Sequence, residues 1–267
     1  MSTTVTKPYR KEAISWVLHA LKIVLGDESI RRYIIVKYNP SLPNSGKKYI
    51  RTFNAFVQKG KTRQSKADTI TKYCSEIIKK KGIVVFTATN IQQNALDNET
   101  HFQTFIVDNT EKQLYIIDPA FDKTKEEHAG IYMAEVANEV VIPFFKTSGY
   151  ITQFISLSNP AQIGDGDVFC QSWSLFILLQ KIKNNEFRTN ISFTIPKRQL
   201  DKYDMILSFY KQLFTDFPEL ADNLKAEYEA EIISVRGPNA PTNNQKQSIL
   251  QYNPVELLMS MSKHDMQ

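Results

Sequence analysis

Gln162-Ile-Gly-Asp-Gly-Asp-Val-Phe-Cys170-Gln-Ser-Trp173-Ser-Leu-Phe-Ile-Leu-Leu179 changes from a loop rich in Gly and Asp into an apolar run, with a cysteine at the seam. Gly164, Asp165, Gly166 and Asp167 are turn and capping residues, and no Gly, Pro or charge interrupts the chain between Cys170 and Lys181. The pattern predicts a loop followed by a buried helix. With Asp167 as N-cap, Cys170 falls in the first helical turn. Unpaired backbone amides and the positive end of the helix dipole there favour a thiolate. Trp173, one turn further on, reads as a core anchor against a sheet.

A nucleophile needs a base. His101 opens His101-Phe-Gln-Thr-Phe-Ile-Val-Asp108, and Gln113-Leu-Tyr-Ile-Ile-Asp118-Pro119 follows after Asn109-Thr110-Glu111-Lys112. Apolar residues at period two around a polar turn predict a β-hairpin, with Pro119 ending its second strand. The start of one strand then lies beside the end of the other, so His101 and Asp118 can meet. A carboxylate bonded to one imidazole nitrogen fixes the tautomer and leaves the other nitrogen to take a proton from Cys170.

His101, Asp118, Gln162 in Asn159-Pro-Ala-Gln162, Gly166-Asp-x-x-Cys170 and Cys170-Gln-Ser-Trp173-Ser occur in the order found in one family. Across about residues 83–185 the chain resembles the cysteine peptidases that include the ubiquitin-like-protein proteases and the adenovirus protease. It is most similar to their branch in large cytoplasmic DNA viruses, the poxvirus and asfarvirus polyprotein-processing proteases. The resemblance implies an α+β, papain-like cysteine-protease fold of the ubiquitin-like-protein protease type. It makes His101 the base, Asp118 its orienting partner, Cys170 the nucleophile and Gln162 the oxyanion donor. Gln162 stands farther upstream of Cys170 than the family's glutamine does, and Gln171 is the alternative donor. No cofactor is implied.

Residues 1–82 carry 18 Lys/Arg against 5 Asp/Glu, leaving 15 against 23 for the remainder of a chain whose net charge is +5. Lys47, Lys48, Arg51, Lys59, Lys61, Arg63 and the run Lys79-Lys80-Lys81 are therefore candidates for binding nucleic acid or another polyanion. The competing reading is a solvated helical face. No base-reading motif accompanies these residues, so any nucleic-acid contact would be with phosphates. Two cysteines, Cys74 and Cys170, and four scattered histidines form neither a disulfide framework nor a metal-ligand pattern. His19 and His128 read as packing or exposed residues. No apolar stretch is long enough to span a bilayer and no secretory leader is evident, which predicts a soluble protein of a reducing compartment without a membrane partner.

The chain divides into a basic, mainly helical N-terminal region (1–82), a protease core (83–235), and a linker with a C-terminal segment (236–267). Helices are expected over 8–25, 47–58 and 66–80, with a strand or helix end at 31–38 and Gly82 as the boundary. A strand at 83–89 and a polar loop at 90–100, read as a cleft wall, lead to the hairpin. Pro143 should break or kink an amphipathic piece at 131–146. A strand at 149–157 leads to the seam, and helices at 203–213 and 218–231 follow. Residues 237–246 read as a linker, and 253–261 as a short helix with an adaptable, Met-bearing face.

Three functions fit these residues. The first is an endopeptidase that cleaves viral structural polyproteins at small-residue, glycine-containing sites during virion maturation, in host cytoplasm or virion, as the resemblance implies. The second, also from the resemblance, is removal of ubiquitin or a ubiquitin-like modifier. The third is a protease-fold protein of little turnover that binds DNA or a virion component through its basic region, with Cys170 an inert core thiol.

Overall fold

The computed structural model describes residues 20–25, 30–38, 54–55, 63–93, 98–122, 127–128, 140–162, 169–184, 186–224, 226 and 255. For 30–38, 54–55, 63–69, 89–93, 98–101, 122 and 127–128 it describes the backbone path. The strands are β1 (Ile30–Tyr38), β2 (Asn54–Ala55), β3 (Ile83–Gln93), β4 (Asn98–Asp108), β5 (Gln113–Ile117), β6 (Phe121–Asp122), β7 (Glu127–His128) and β8 (Ile151–Phe154). The helices are α1 (Arg63–Ile77), α2 (Ile142–Thr147), α3 (Cys170–Lys183) and α4 (Gln199–Asp216), with a 3-10 turn at Glu186–Arg188. Helical residues also occur at 20–25 and 218–224.

Six strands form one sheet in the order β2-β1-β3-β4-β5-β8, and β6 and β7 form a separate ribbon. Strands β3, β4 and β5 make an antiparallel meander, whereas β1 runs parallel to β3 and β8 parallel to β5. The fold is thus mixed α and β, and its sheet holds parallel as well as antiparallel pairs. The parallel partners arrive through crossovers, which local sequence does not announce.

Both faces of the sheet are covered. Val84, Phe86 and Ala88 of β3 and Phe105 and Val107 of β4 pack with Ile70, Cys74 and Ile77 of α1 and Phe145 of α2. Val85, Phe102, Ile106, Tyr115 and Ile117 face α3 and α4 instead. Alternation along each strand divides its side chains between the two cores. Phe86 opposes Phe105 in the β3–β4 register, and their rings stack at 4.6 Å between centroids. Such a pair adds about 0.5–1.5 kcal/mol beyond its buried area. Helix α3 is buried almost all round, from Cys170 through Leu179, because its sequence presents no charged stripe to water.

The expected hairpin is β4–β5. Asp108 Oδ1 accepts from the Thr110 and Glu111 amides at 3.1 and 3.2 Å, closing the turn at 109–112. Arg188 donates to Asp108 Oδ2 through Nε at 2.9 Å and Nη2 at 2.6 Å, joining the chain beyond α3 to the hairpin turn. Gly82 turns the chain from α1 into β3 with φ +71°, a left-handed conformation that favours glycine.

Several expectations require correction. The proposed polar loop at 90–100 is mostly strand: β3 and β4 stay paired out to Gln93 and Asn98. Backbone pairing continues there without the apolar alternation that marks the rest of the hairpin. The helix expected over 47–58 meets strand β2 at 54–55, whereas 31–38, read as a strand or helix end, is strand within β1. The described part of the basic N-terminal region holds helix at 20–25 and 63–77 together with the strands β1 and β2, and it joins the sheet across Gly82 through β1 and α1. Pro143 occupies the first turn of α2, where its missing N–H costs nothing; whether it ends a longer helix falls on 131–139. The residues 131–139, 237–246 and 8–19, including His19, lie outside the described residues, as does the C-terminal segment apart from Val255.

Candidate active site

Helix α3 begins at Cys170, with Phe169 in the cap position and no side-chain cap. Asp167, the expected cap, lies outside the described residues, and the helix starts one position after Phe169. The buried ring of Phe169 packs edge-on to Tyr203 of α4, 5.3 Å between centroids. Cys170 thus heads the helix, where the amides of the first turn have no intrahelical acceptor. Its side chain is fully buried, at 0 % exposure. Ser172 Oγ and Tyr210 OH share a 2.7 Å hydrogen bond that fixes α3 to α4. Burial holds the Tyr210 phenol well above its ordinary range.

Asp118 follows β5 directly and is 2 % exposed. Its Oδ2 accepts from Gln103 Nε2 at 2.6 Å and its Oδ1 from the Ala120 amide at 3.0 Å. Thr104 opposes Ile117 in the β4–β5 register, so the next step along the ladder sets Asp118 against Gln103. The backbone of His101 pairs with Asn90, two residues before Gln103 on β4; its side chain lies outside the described atoms. Gln103 is the site residue that the sequence reading missed. It is wholly buried, but β4 also carries Asn98, Glu99, Thr100, His101 and Thr104, so one more polar residue gave no local signal.

Hydrogen bonds join the segments next to these positions. Ser174, one turn beyond Cys170, donates through Oγ to Phe102 O at 3.3 Å, and Phe102 directly follows His101. The Gln162 amide donates to Pro119 O at 2.8 Å, one residue beyond Asp118. Lys202 of α4, fully buried, donates through Nζ to Pro160 O at 2.6 Å. Asn159 Nδ2 donates to Ile195 O at 2.6 Å, so the segment leading to Gln162 is held from three directions. Ala161, Phe102, Ile117, Phe169 and Cys170 belong to a single apolar cluster.

Gln162 is half-buried, and Gln171 is buried on the first turn of α3. Gln171 Nε2 and Trp173 Nε1 have no hydrogen-bond partner among the described residues. Trp173 is wholly enclosed in the core.

Of the basic candidates, Lys47, Lys48, Arg51, Lys59 and Lys61 lie outside the described residues, as does the side chain of Arg63. Lys79, Lys80 and Lys81 are exposed beside the turn into β3, and Lys79 pairs with Glu76 at 2.7 Å. Among the described residues no cluster of His, Cys, Asp and Glu could hold a metal ion, and no helix is long and apolar enough to cross a membrane. Cys74 and Cys170 are both free thiols. Burial pushes the Cys74 thiol up to about 12, so it stays protonated and unreactive at neutral pH.

No protein-family model and no curated protein matches the chain. Among solved structures the chain is similar to the Legionella pneumophila effector protein RavZ, at 14% identity over 99% of this chain and 94% of the other, with a TM-score of 0.33. A second RavZ structure aligns at 12% identity over 98% and 92%, with a TM-score of 0.35. RavZ in complex with human LC3B aligns at 12% over 85% and 71%, with a TM-score of 0.30. Overlaps at these scores do not establish a common fold.

Proposed function

We propose that the protein is a cysteine peptidase of papain-like type, with Cys170 as nucleophile, His101 as base, Asp118 as orienting carboxylate and Gln162 as oxyanion donor. The observation that carries this reading is convergence at one end of the sheet. The head of α3 is tied to β4 at Phe102, beside His101, and the Gln162 backbone is tied to Pro119, beside Asp118. His101 would take the Cys170 proton as the sulfur attacks a peptide carbonyl, then return it to the leaving amine. Water would hydrolyse the thioester by the same proton relay in reverse. Gln103 and the Ala120 amide hold both carboxylate oxygens of Asp118, which leaves that group little freedom to turn.

The substrate follows from the resemblance in sequence: a viral structural precursor cleaved at a small-residue, glycine-containing site, in host cytoplasm or virion. The basic N-terminal segment would act as an electrostatic tether to packaged nucleic acid. A second reading is favoured by the complete burial of Cys170: an inert thiol in a protein that acts by binding.

One comparison separates these readings. Wild type and Cys170→Ala are assayed on a glycine-containing peptide from a viral structural precursor, with circular dichroism as the control for folding. The peptidase reading expects turnover by wild type and none by a folded alanine variant. Equal turnover by both overturns the mechanism, and no turnover by either leaves the binding reading.

A further inference from the structure

We propose that Gln171, immediately after the candidate nucleophile, is a further oxyanion donor: its side-chain N–H bonds the oxygen that turns negative when Cys170 attacks a carbonyl. The assignment rests on the peptidase reading above. Gln171 is 8 % exposed, and its Nε2 has no hydrogen-bond partner among the described residues. Leaving a buried amide donor unpaired costs about 1–3 kcal/mol, so such a group in a native fold calls for an explanation.

Position supplies one. Gln171 precedes Ser174 by three residues and Cys170 precedes it by four, so all three border one edge of α3. Ser174 Oγ reaches Phe102 O, which turns that edge toward the part of β4 that begins at His101. Side chains on a helix lean toward its N-terminus, which carries the Gln171 amide toward the head of the helix at Cys170. A buried donor beside a helix head is suited to an oxygen that gains charge. The other polar side chains of this turn are already engaged, Ser172 with Tyr210 and Ser174 with Phe102 O. Trp173 Nε1 is also unpartnered among the described residues, but its indole belongs to the apolar core cluster.

In the reaction the Sγ–C bond forms while the carbonyl π pair moves onto oxygen, and the Gln171 N–H donates to that oxygen. On collapse the π pair returns, the C–N bond breaks, and the amine leaves with the proton carried by His101.

The test uses the full chain and N-acetylglycylglycinal, an aldehyde to which a thiolate adds reversibly, giving a hemithioacetal whose oxygen occupies the oxyanion position. Its Kd is measured for wild type, Gln171→Met and Cys170→Ala, together with the rate of iodoacetamide alkylation and Tm. Gln171→Met is expected to weaken aldehyde binding by about 10²-fold, the scale of one lost oxyanion donor. Alkylation should be unchanged and Tm equal or higher, because the methionine buries no unpaired donor. Equal Kd for wild type and Gln171→Met, with binding lost in Cys170→Ala, overturns the Gln171 role and leaves the peptidase reading intact. A fall in Tm and in alkylation with Kd gives Gln171 a structural role and also overturns the proposal. No aldehyde binding by wild type removes the peptidase reading and this one with it. If the methionine variant does not fold, Gln171→Leu supplies the same comparison.

Discussion

Gln103 Nε2 donates to Asp118 Oδ2 across 2.6 Å, with both residues withdrawn from solvent at the end of the β4–β5 ladder. An amide donor beside a buried carboxylate permits the carboxylate to remain charged, because it replaces the water that burial removes.

Replacing that donor by an acceptor should reverse the effect. Gln103→Glu sets two carboxylates against each other in a buried place, where one must take up a proton. The variant should lose about 3–5 kcal/mol at neutral pH, the cost of an uncompensated buried charge. The glutamate's folded pKa would lie above its unfolded value, so stability returns as pH falls toward the ordinary carboxylate range. Urea midpoints of wild type and variant between neutral and mildly acidic pH test this. A variant that weakens further on acidification, relative to wild type, contradicts it.

Lys202 positions the segment that carries Gln162. Its ammonium reaches Pro160 O from the first turn of α4. Lys202→Met keeps the length of the side chain and removes the charged donor, worth about 1.5–3 kcal/mol in a hydrogen bond of this kind. The denaturation midpoint should fall by that amount with its slope unchanged. On the peptidase reading, kcat should fall with little change in KM, since the segment acts on the transition state. An unchanged midpoint would mean that relief of the buried charge equals the lost bond.

Cys74 gives an alkaline dependence whose sign is fixed. Its thiol is raised from 9.0 to about 12 in the folded chain by burial between α1 and the sheet. Below about pH 9 both states hold the proton and the group contributes nothing to the slope. Above that the unfolded chain ionises first, so stability falls as pH rises, by at most about 1.4 kcal/mol per pH unit. Subtracting the profile of Cys74→Ala from that of wild type isolates this term from the other alkaline titrations. A flat difference from pH 9 to 11 would show that the thiol ionises freely in the fold.

The hairpin was legible because Phe105, Val107, Leu114 and Ile116 repeat at period two around a polar turn. Helix α3 was legible because no charge interrupts the run after Cys170. Gln103 was not: in a strand with one wet face a polar residue reads as solvent-facing, and nothing local tells that a helical layer covers each side of this sheet. Lys202 was hidden for a similar reason, since a lysine on an amphipathic helix reads as its solvent face. The place of β1 beside β3 depends on a partner far along the chain, and periodicity carries no information about partners.

Synthesis order gives the meander another significance. Strands β3 to β5 occupy a continuous stretch from Ile83 to Ile117, whereas Cys170 and then Lys202 leave the ribosome much later. A nascent chain can complete the edge that bears His101 and Asp118 while the sulfur is still unmade. On the peptidase reading, hydrolytic capacity would then arrive only once the lysine that braces Pro160 has emerged, sparing the half-finished chain from its own chemistry.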